Sequence, residues 1–131
     1  MNTTQTASWR SEIDSASQRL AERAGHFLRQ TPLWKLPAEV FGIGAPGAEI
    51  WLKLEHMQVS GSFKARGMMN RLLANDIPES GVVVASGGNA GIATAAAAQA
   101  LGVPCQVFLP GVSPEAKRAL RPCACRRRGR C

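Results

Sequence analysis

Apolar residues fall in two rhythms along this chain. Ile13, Ala16, Leu20, Ala24 and Phe27 recur at spacings of three and four, which predicts one face of a helix beginning at Ser8 or Ser11. Glu12 and Asp14 then fall in its early turns, where the positive end of the helix dipole favours acids. The expected role of this helix is packing, against a sheet edge or a neighbouring subunit. Residues 1–7 carry no such pattern and are expected to be unstructured. Thr31-Pro32 ends the helix, because proline pushes the residue before it out of the α region. Residues 33–36 predict a short strand and residues 49–54 a second. Helical spacing returns over 63–75, with Met68, Met69, Leu72 and Leu73 on the expected buried side. Asn75-Asp76-Ile77-Pro78 closes that helix as a hinge or crossover. A short β-branched run, Val82 to Ala85, predicts a buried strand, and an alanine-rich helix follows over 92–101. Gly102 and Pro104 stop it, and 105–109 is the next strand. Ser113 and Pro114 suit the start of a last helix over 116–120. The order β-α-β-α-β-α implies an α/β fold with parallel sheets and right-handed crossovers.

Two turns carry candidate chemistry. In Ser60-Gly61-Ser62-Phe63-Lys64-Ala65-Arg66-Gly67, Gly61 is permissive and Ser62 is a good N-cap, so Lys64 falls in the first turn of a helix. That end of the dipole disfavours a cation, and a positive field eases deprotonation of an amine. A lysine so placed can form a Schiff base with an aldehyde, whereas an ordinary lysine here is a solvated surface residue. In Ser86-Gly87-Gly88-Asn89-Ala90-Gly91, small residues join a strand to a helix and present backbone N–H groups to an anion. The bland alternative is a tight turn without a ligand. Gly42, Gly44 and Gly47 match G-x-G-x-x-G, but a strand follows rather than precedes them and Pro46 interrupts, so they form a turn and no dinucleotide site. His56, in the loop before the lysine, is expected to be a structural hydrogen-bonding residue.

Taken together, Ser62-Phe63-Lys64-Ala65-Arg66-Gly67 and Ser86-Gly87-Gly88-Asn89-Ala90 resemble the N-terminal signatures of fold-type II pyridoxal-phosphate enzymes, the tryptophan synthase β-like group. Thr31-Pro32-Leu33 and Trp51-Leu52-Lys53-Leu54-Glu55-His56 are similar to the opening motifs of its serine/threonine dehydratases, or ammonia-lyases. The resemblance runs from about Thr31 to Leu120 and implies open parallel sheets flanked by helices. It implies an N-terminal helix arm over 1–30 and part of a large cofactor domain over 31–78. A smaller substrate-loop domain would begin over 79–120. By the same resemblance Lys64 holds pyridoxal 5'-phosphate and Phe63 packs beside it. Asn89 bonds the cofactor's 3′-oxygen, and Ser86, Gly87, Gly88, Asn89 and Ala90 cradle the carboxylate of an amino-acid substrate. The implied reaction is dehydration and deamination of L-threonine or L-serine to a 2-oxo acid and ammonia. Alternatives are another lyase or racemase of the group acting on a hydroxy amino acid, or a non-functional truncated product. Serine racemases of the group carry a serine where Gly87 stands, and it serves as their second acid/base. Ala65 stands where threonine synthases carry aspartate. Cysteine synthases show a different lysine signature. All three differences favour dehydration.

Composition changes this picture only at the end of the chain. The 131 residues carry a formal charge of +7, but Arg121, Arg126, Arg127, Arg128 and Arg130 supply five of those charges. Cys123, Cys125 and Cys131 lie in the same segment, and Pro122 interrupts the helix before it. Residues 121–131 therefore read as an aberrant tail, as an out-of-frame end of a GC-rich gene would produce. The tail cysteines are a poor zinc set, since Cys105 belongs to a strand, and no metal is expected. The arginines touch phosphates without specificity, so no specific nucleic-acid partner is expected. No apolar run spans a bilayer and residues 1–5 lack a secretory pattern, so the expected location is cytoplasmic. The chain is shorter than the resemblance implies and is expected to be a fragment, inactive alone, of a form that assembles as a homo-oligomer.

Overall fold

The computed structural model describes residues 3–44 and 46–109. The turn expected at 110–115, the helix over 116–120 and the tail lie outside them. Helix α1 spans Thr3–Ala24. It starts earlier than the polar opening suggested, because no glycine or proline between Thr3 and Ala24 interrupts its propagation. Glu12 and Asp14 consequently lie beyond its first turn, which holds no acid. Only the C-terminal half of its apolar stripe is covered: Ala24 is fully buried, whereas Ile13 remains 65% exposed. Arg19 donates to the Asn70 side chain (2.6 Å) and Arg23 to the Leu73 carbonyl (3.0 Å), which ties that half to the next helix.

Strands β1 (Leu33–Pro37) and β2 (Glu49–Lys53) pair antiparallel, from Leu33 opposite Lys53 to Pro37 opposite Glu49. The second strand therefore does not join the expected parallel sheet. The turn through Gly42, Gly44 and Gly47 reverses the chain, as its glycines and Pro46 suggested, and Gly47 N–H donates to the Glu39 carboxylate (3.1 Å). Helix α2 spans Lys64–Leu73 and buries Ala65, Met69, Leu72 and Leu73; Met68 is only half-buried.

Strands β3 (Val82–Ala85) and β4 (Cys105–Phe108) form the parallel pair, in register from Val82 opposite Cys105 to Ala85 opposite Phe108. Helix α3 (Asn89–Ala100) connects them and begins directly after the small-residue turn, three residues before the expected start. It ends in a Schellman arrangement, with Gly102 at φ +68° and the Val103 amide on the Ala98 carbonyl (2.9 Å). Gly81 enters β3 at φ +86°, where a Cβ would sit 2.0 Å from the Pro104 carbonyl oxygen, so only glycine fits.

The core gathers Ala24 from α1, Met69, Leu72 and Leu73 from α2, and Ala97 and Ala98 from α3. Helices α2 and α3 pack directly on one another, and the one-turn helix Val59–Gly61 also lies against α3. That packing brings together the elements that begin with the two chemical turns. No helix among the described residues is long and apolar enough to cross a membrane.

Candidate active site

After β2 the chain makes two single turns of 3-10 helix, Glu55–Met57 and Val59–Gly61, and then enters α2. Ser60 stands at φ 63°, the only non-glycine with positive φ among the described residues. Holding a serine there costs about 1 kcal/mol or more, which the surrounding contacts must offset. Ser62 is extended, as an N-cap should be, but its hydroxyl caps nothing. The Ala65 amide goes to the Ser62 carbonyl instead (3.3 Å), and the Arg66 amide to the Phe63 carbonyl (3.1 Å). The first turn is thus wound tightly, with i to i−3 bonds that take up the amides a side-chain cap would have met. The hydroxyls of Ser60 and Ser62 are both buried without a partner among the described residues.

Lys64 is half-buried at the start of α2, and its Nζ lies 4.9 Å from the centroid of the Phe63 ring. Among the described residues it makes no hydrogen bond or ion pair, whereas Lys35 is paired with Glu49 and Lys53 donates to the Thr31 carbonyl. Phe63 is largely exposed beside that amine.

A polar network on the other side of α2 holds this start in place. The Arg66 guanidinium makes a fork onto Glu55, with Nε 3.0 Å from Oε2 and Nη2 2.9 Å from Oε1. Nη2 also donates to the Arg29 carbonyl (3.0 Å), and the Thr31 hydroxyl donates to Glu55 Oε1 (2.5 Å). Gln58 is buried, accepts from the Arg29 and Val59 amides (2.9 Å each) and donates to the Arg29 carbonyl (2.8 Å). Sequence reasoning did not single out Gln58; a lone amide in a polar loop carries no signal of burial. His56, expected to be a structural hydrogen-bonding residue, is exposed and makes no hydrogen bond among the described residues.

The Arg66 hydrogen bond holds the Glu55 carboxyl below its ordinary pKa; the Thr31 hydroxyl and the Arg66 and Lys53 charges act the same way, and desolvation opposes them. A depressed folded pKa contributes stability that is present above the unfolded value and lost as pH falls through the folded one. The stability difference between the unaltered chain and Glu55→Gln is therefore expected to be largest near neutral pH. It should shrink steadily as pH falls below the ordinary glutamate range. Urea melts at a series of pH values measure it, and a difference independent of pH would refute the assignment.

The second turn follows β3. The Ser86 amide extends the sheet onto the Phe108 carbonyl (3.0 Å), and the Ser86 hydroxyl accepts from the Gly88 amide (3.2 Å). Gly88 caps α3 with its carbonyl, which receives the Gly91 and Ile92 amides (3.1 and 3.4 Å). The Asn89 and Ala90 amides are then left at the open, positive end of a twelve-residue helix. No described atom lies within 4 Å of where a Cβ on Gly88 would be, and the Asn89 side chain is exposed. Lys64 and Phe63 thus begin one helix, while Ser86, Gly87, Gly88, Asn89 and Ala90 begin the helix packed on it. No hydrogen bond among the described residues joins the two groups. A shallow groove lined by Lys35, Glu39 and Glu49 lies on the hairpin and includes none of them. No cluster of metal-ligating side chains occurs among the described residues.

The sequence profile of a family described as "Pyridoxal-phosphate dependent enzyme" matches residues 13–121. The catabolic L-threonine dehydratase of Staphylococcus aureus is 36% identical over 94 residues, 70% of this chain and 27% of that protein. Among solved structures, a pyridoxal 5'-phosphate-dependent aspartate racemase superposes with a TM-score of 0.71 at 31% identity, covering 82% of this chain and 34% of its own. A bacterial threonine deaminase, from T.th., does so at 0.64 and 33%, covering 84% and 34%. The chain spans about a quarter of the length of the curated relatives it matches.

Proposed function

Because this chain belongs to the pyridoxal-phosphate dependent enzymes, we propose that Lys64 holds the cofactor's aldehyde and that the paired helix starts serve dehydration and deamination of L-threonine or L-serine. The observation that carries this reading is the half-buried Lys64 amine on α2, unpaired among the described residues, beside a helix whose opening amides are free to meet an anion. The donor set fits the group: two buried hydroxyls lack partners among the described residues, Gly88 borders open space, and the Asn89 side chain is exposed. Bound pyridoxal phosphate supplies the electron sink that makes the amino acid's Cα proton acidic. Lys64 Nζ is the base that takes that proton, and Phe63 packs along the ring. Asn89 donates to the ring oxygen. Ser86, Gly87, Gly88, Asn89 and Ala90 orient the substrate carboxylate at the positive end of α3. On the same reading residues 31–78 belong to a larger cofactor domain, and residues 79–120 begin a smaller one.

Gly87 decides between deamination and racemisation. Inverting Cα needs a proton donor on the face opposite Lys64, and a glycine supplies none. The likeness to an aspartate racemase is therefore read as shared fold and cofactor. The test is a chimaera in which this chain replaces the 94 residues it matches in the Staphylococcus aureus dehydratase. It should release ammonia and 2-oxo acid from L-threonine and L-serine, with D-serine forming roughly a hundredfold more slowly. Racemisation as fast as deamination would overturn the assignment of Gly87, and activity that survives Lys64→Ala would overturn that of the lysine.

A further inference from the structure

The sequence offers Ser62 as the cap of α2, and the structure leaves that helix without one. Something else must hold a first turn that carries the reactive amine. Successive helical residues are about 100° apart, so Lys64 and Arg66 leave α2 on nearly opposite sides, with Ala65 fully buried between them. A force on Arg66 therefore sets the direction in which Lys64 points. We propose that Glu55 and Arg66 are a positioning pair: their fork replaces the missing cap, fixes the rotation of the first turn, and so aims Lys64 at its reaction partner. This rests on the role of Lys64 proposed above.

Three observations support the fork as a device of direction. Its two bonds run from one planar group to both oxygens of another, which fixes an angle as well as a distance. The same guanidinium reaches the Arg29 carbonyl, and Thr31 binds the same carboxylate, so the turn is referred to two other segments of chain. The pair is also largely shielded, with Glu55 side-chain exposure at 17%. A hydrophobic pair would stabilise such a site as well or better, but it would leave the helix free to rotate.

The experiment compares the unaltered 131-residue chain with Glu55→Gln, Arg66→Lys and the core variant Leu72→Ala. Amide exchange at Ala65 and Arg66 should rise about tenfold in the first two, as loss of a charge-assisted bond predicts. Each chain is then treated with pyridoxal 5'-phosphate and borohydride, and peptide mapping gives the yield at Lys64 relative to Lys35. That ratio should fall about fivefold or more in Glu55→Gln and Arg66→Lys. It should hold in Leu72→Ala, which weakens the helix without touching the fork. Unchanged exchange at 65–66 in both fork variants would overturn the proposal. So would a wild-type ratio in Arg66→Lys, because charge alone would then suffice, or an equal loss in Leu72→Ala. If the unaltered chain shows no preference for Lys64, the reading of that lysine fails, and the exchange data still judge the fork.

Discussion

Lys64→Ala is expected to remove the borohydride-trapped pyridoxyl adduct that the unaltered chain forms with pyridoxal 5'-phosphate. The reason lies in what the described lysines must give up to react. Lys35 is bridged to Glu49 and stands 5.4 Å from the Trp51 ring centroid, and Lys53 donates to the Thr31 carbonyl. Each must surrender a partner before its nitrogen lone pair is available to an aldehyde. Lys64 has no hydrogen bond or ion pair to break among the described residues. Its place at the positive end of α2 also disfavours the ammonium form that cannot attack. Lys64→Arg should fail as completely as alanine, since a guanidinium keeps the charge and forms no such bond. In the chimaera the same changes should lower kcat roughly a thousandfold or more. An adduct that survives at full yield, mapped to another lysine, would sink the assignment.

Gly91→Ala should destabilise the chain, against the usual sign for this exchange. Alanine in place of a helical glycine ordinarily gains about 0.5–1 kcal/mol. Here a Cβ at residue 91 would lie 2.6 Å from the Ser86 carbonyl oxygen, 3.1 Å from Val107 Cγ1 and 3.3 Å from Ser86 Cβ. The nearest of these is backbone and cannot swing aside. The start of α3 must then lift from β3 and β4, at a cost of about 1–3 kcal/mol. The move also distorts the turn from Ser86 to Ala90, which holds the substrate carboxylate on the reading above. Urea melts give the sign directly, and a stabilised variant would refute the close approach.

Elements that bury a single stripe or lie between strong stop signals were legible in the sequence. Met69, Leu72 and Leu73 recur on one side of α2 and are buried there, and Gly102 with Pro104 marks the end of α3. Ile13 keeps the same rhythm as Leu20 but stands in water, because periodicity tells which face is apolar and not whether anything covers it. Strand pairing was less legible still. Residues 49–54 look like any strand that precedes a helix, and the pairing of β2 with β1 depends on the glycine turn between them. For the candidate site, the two turns could be located from local chemistry alone. The fork of Arg66 onto Glu55 and the reach of Gln58 to Arg29 could not. Each joins side chains 11 to 29 residues apart, and no local spacing encodes them.

Alanine is what α3 brings to its contact with α2: Ala97 and Ala98 meet Met69, Leu72 and Leu73 in the core. Methyl groups have no χ angles, so one side of this joint has no rotamers to rearrange when the surfaces slip past each other. Nor do they form tall ridges that must climb out of deep grooves. Such a joint resists separation through the area it buries but offers little friction to sliding along its length. The two helix starts, one bearing the amine and the other the anion-binding amides, can therefore change their separation by shear, a small glide of one helix on the other that leaves both intact.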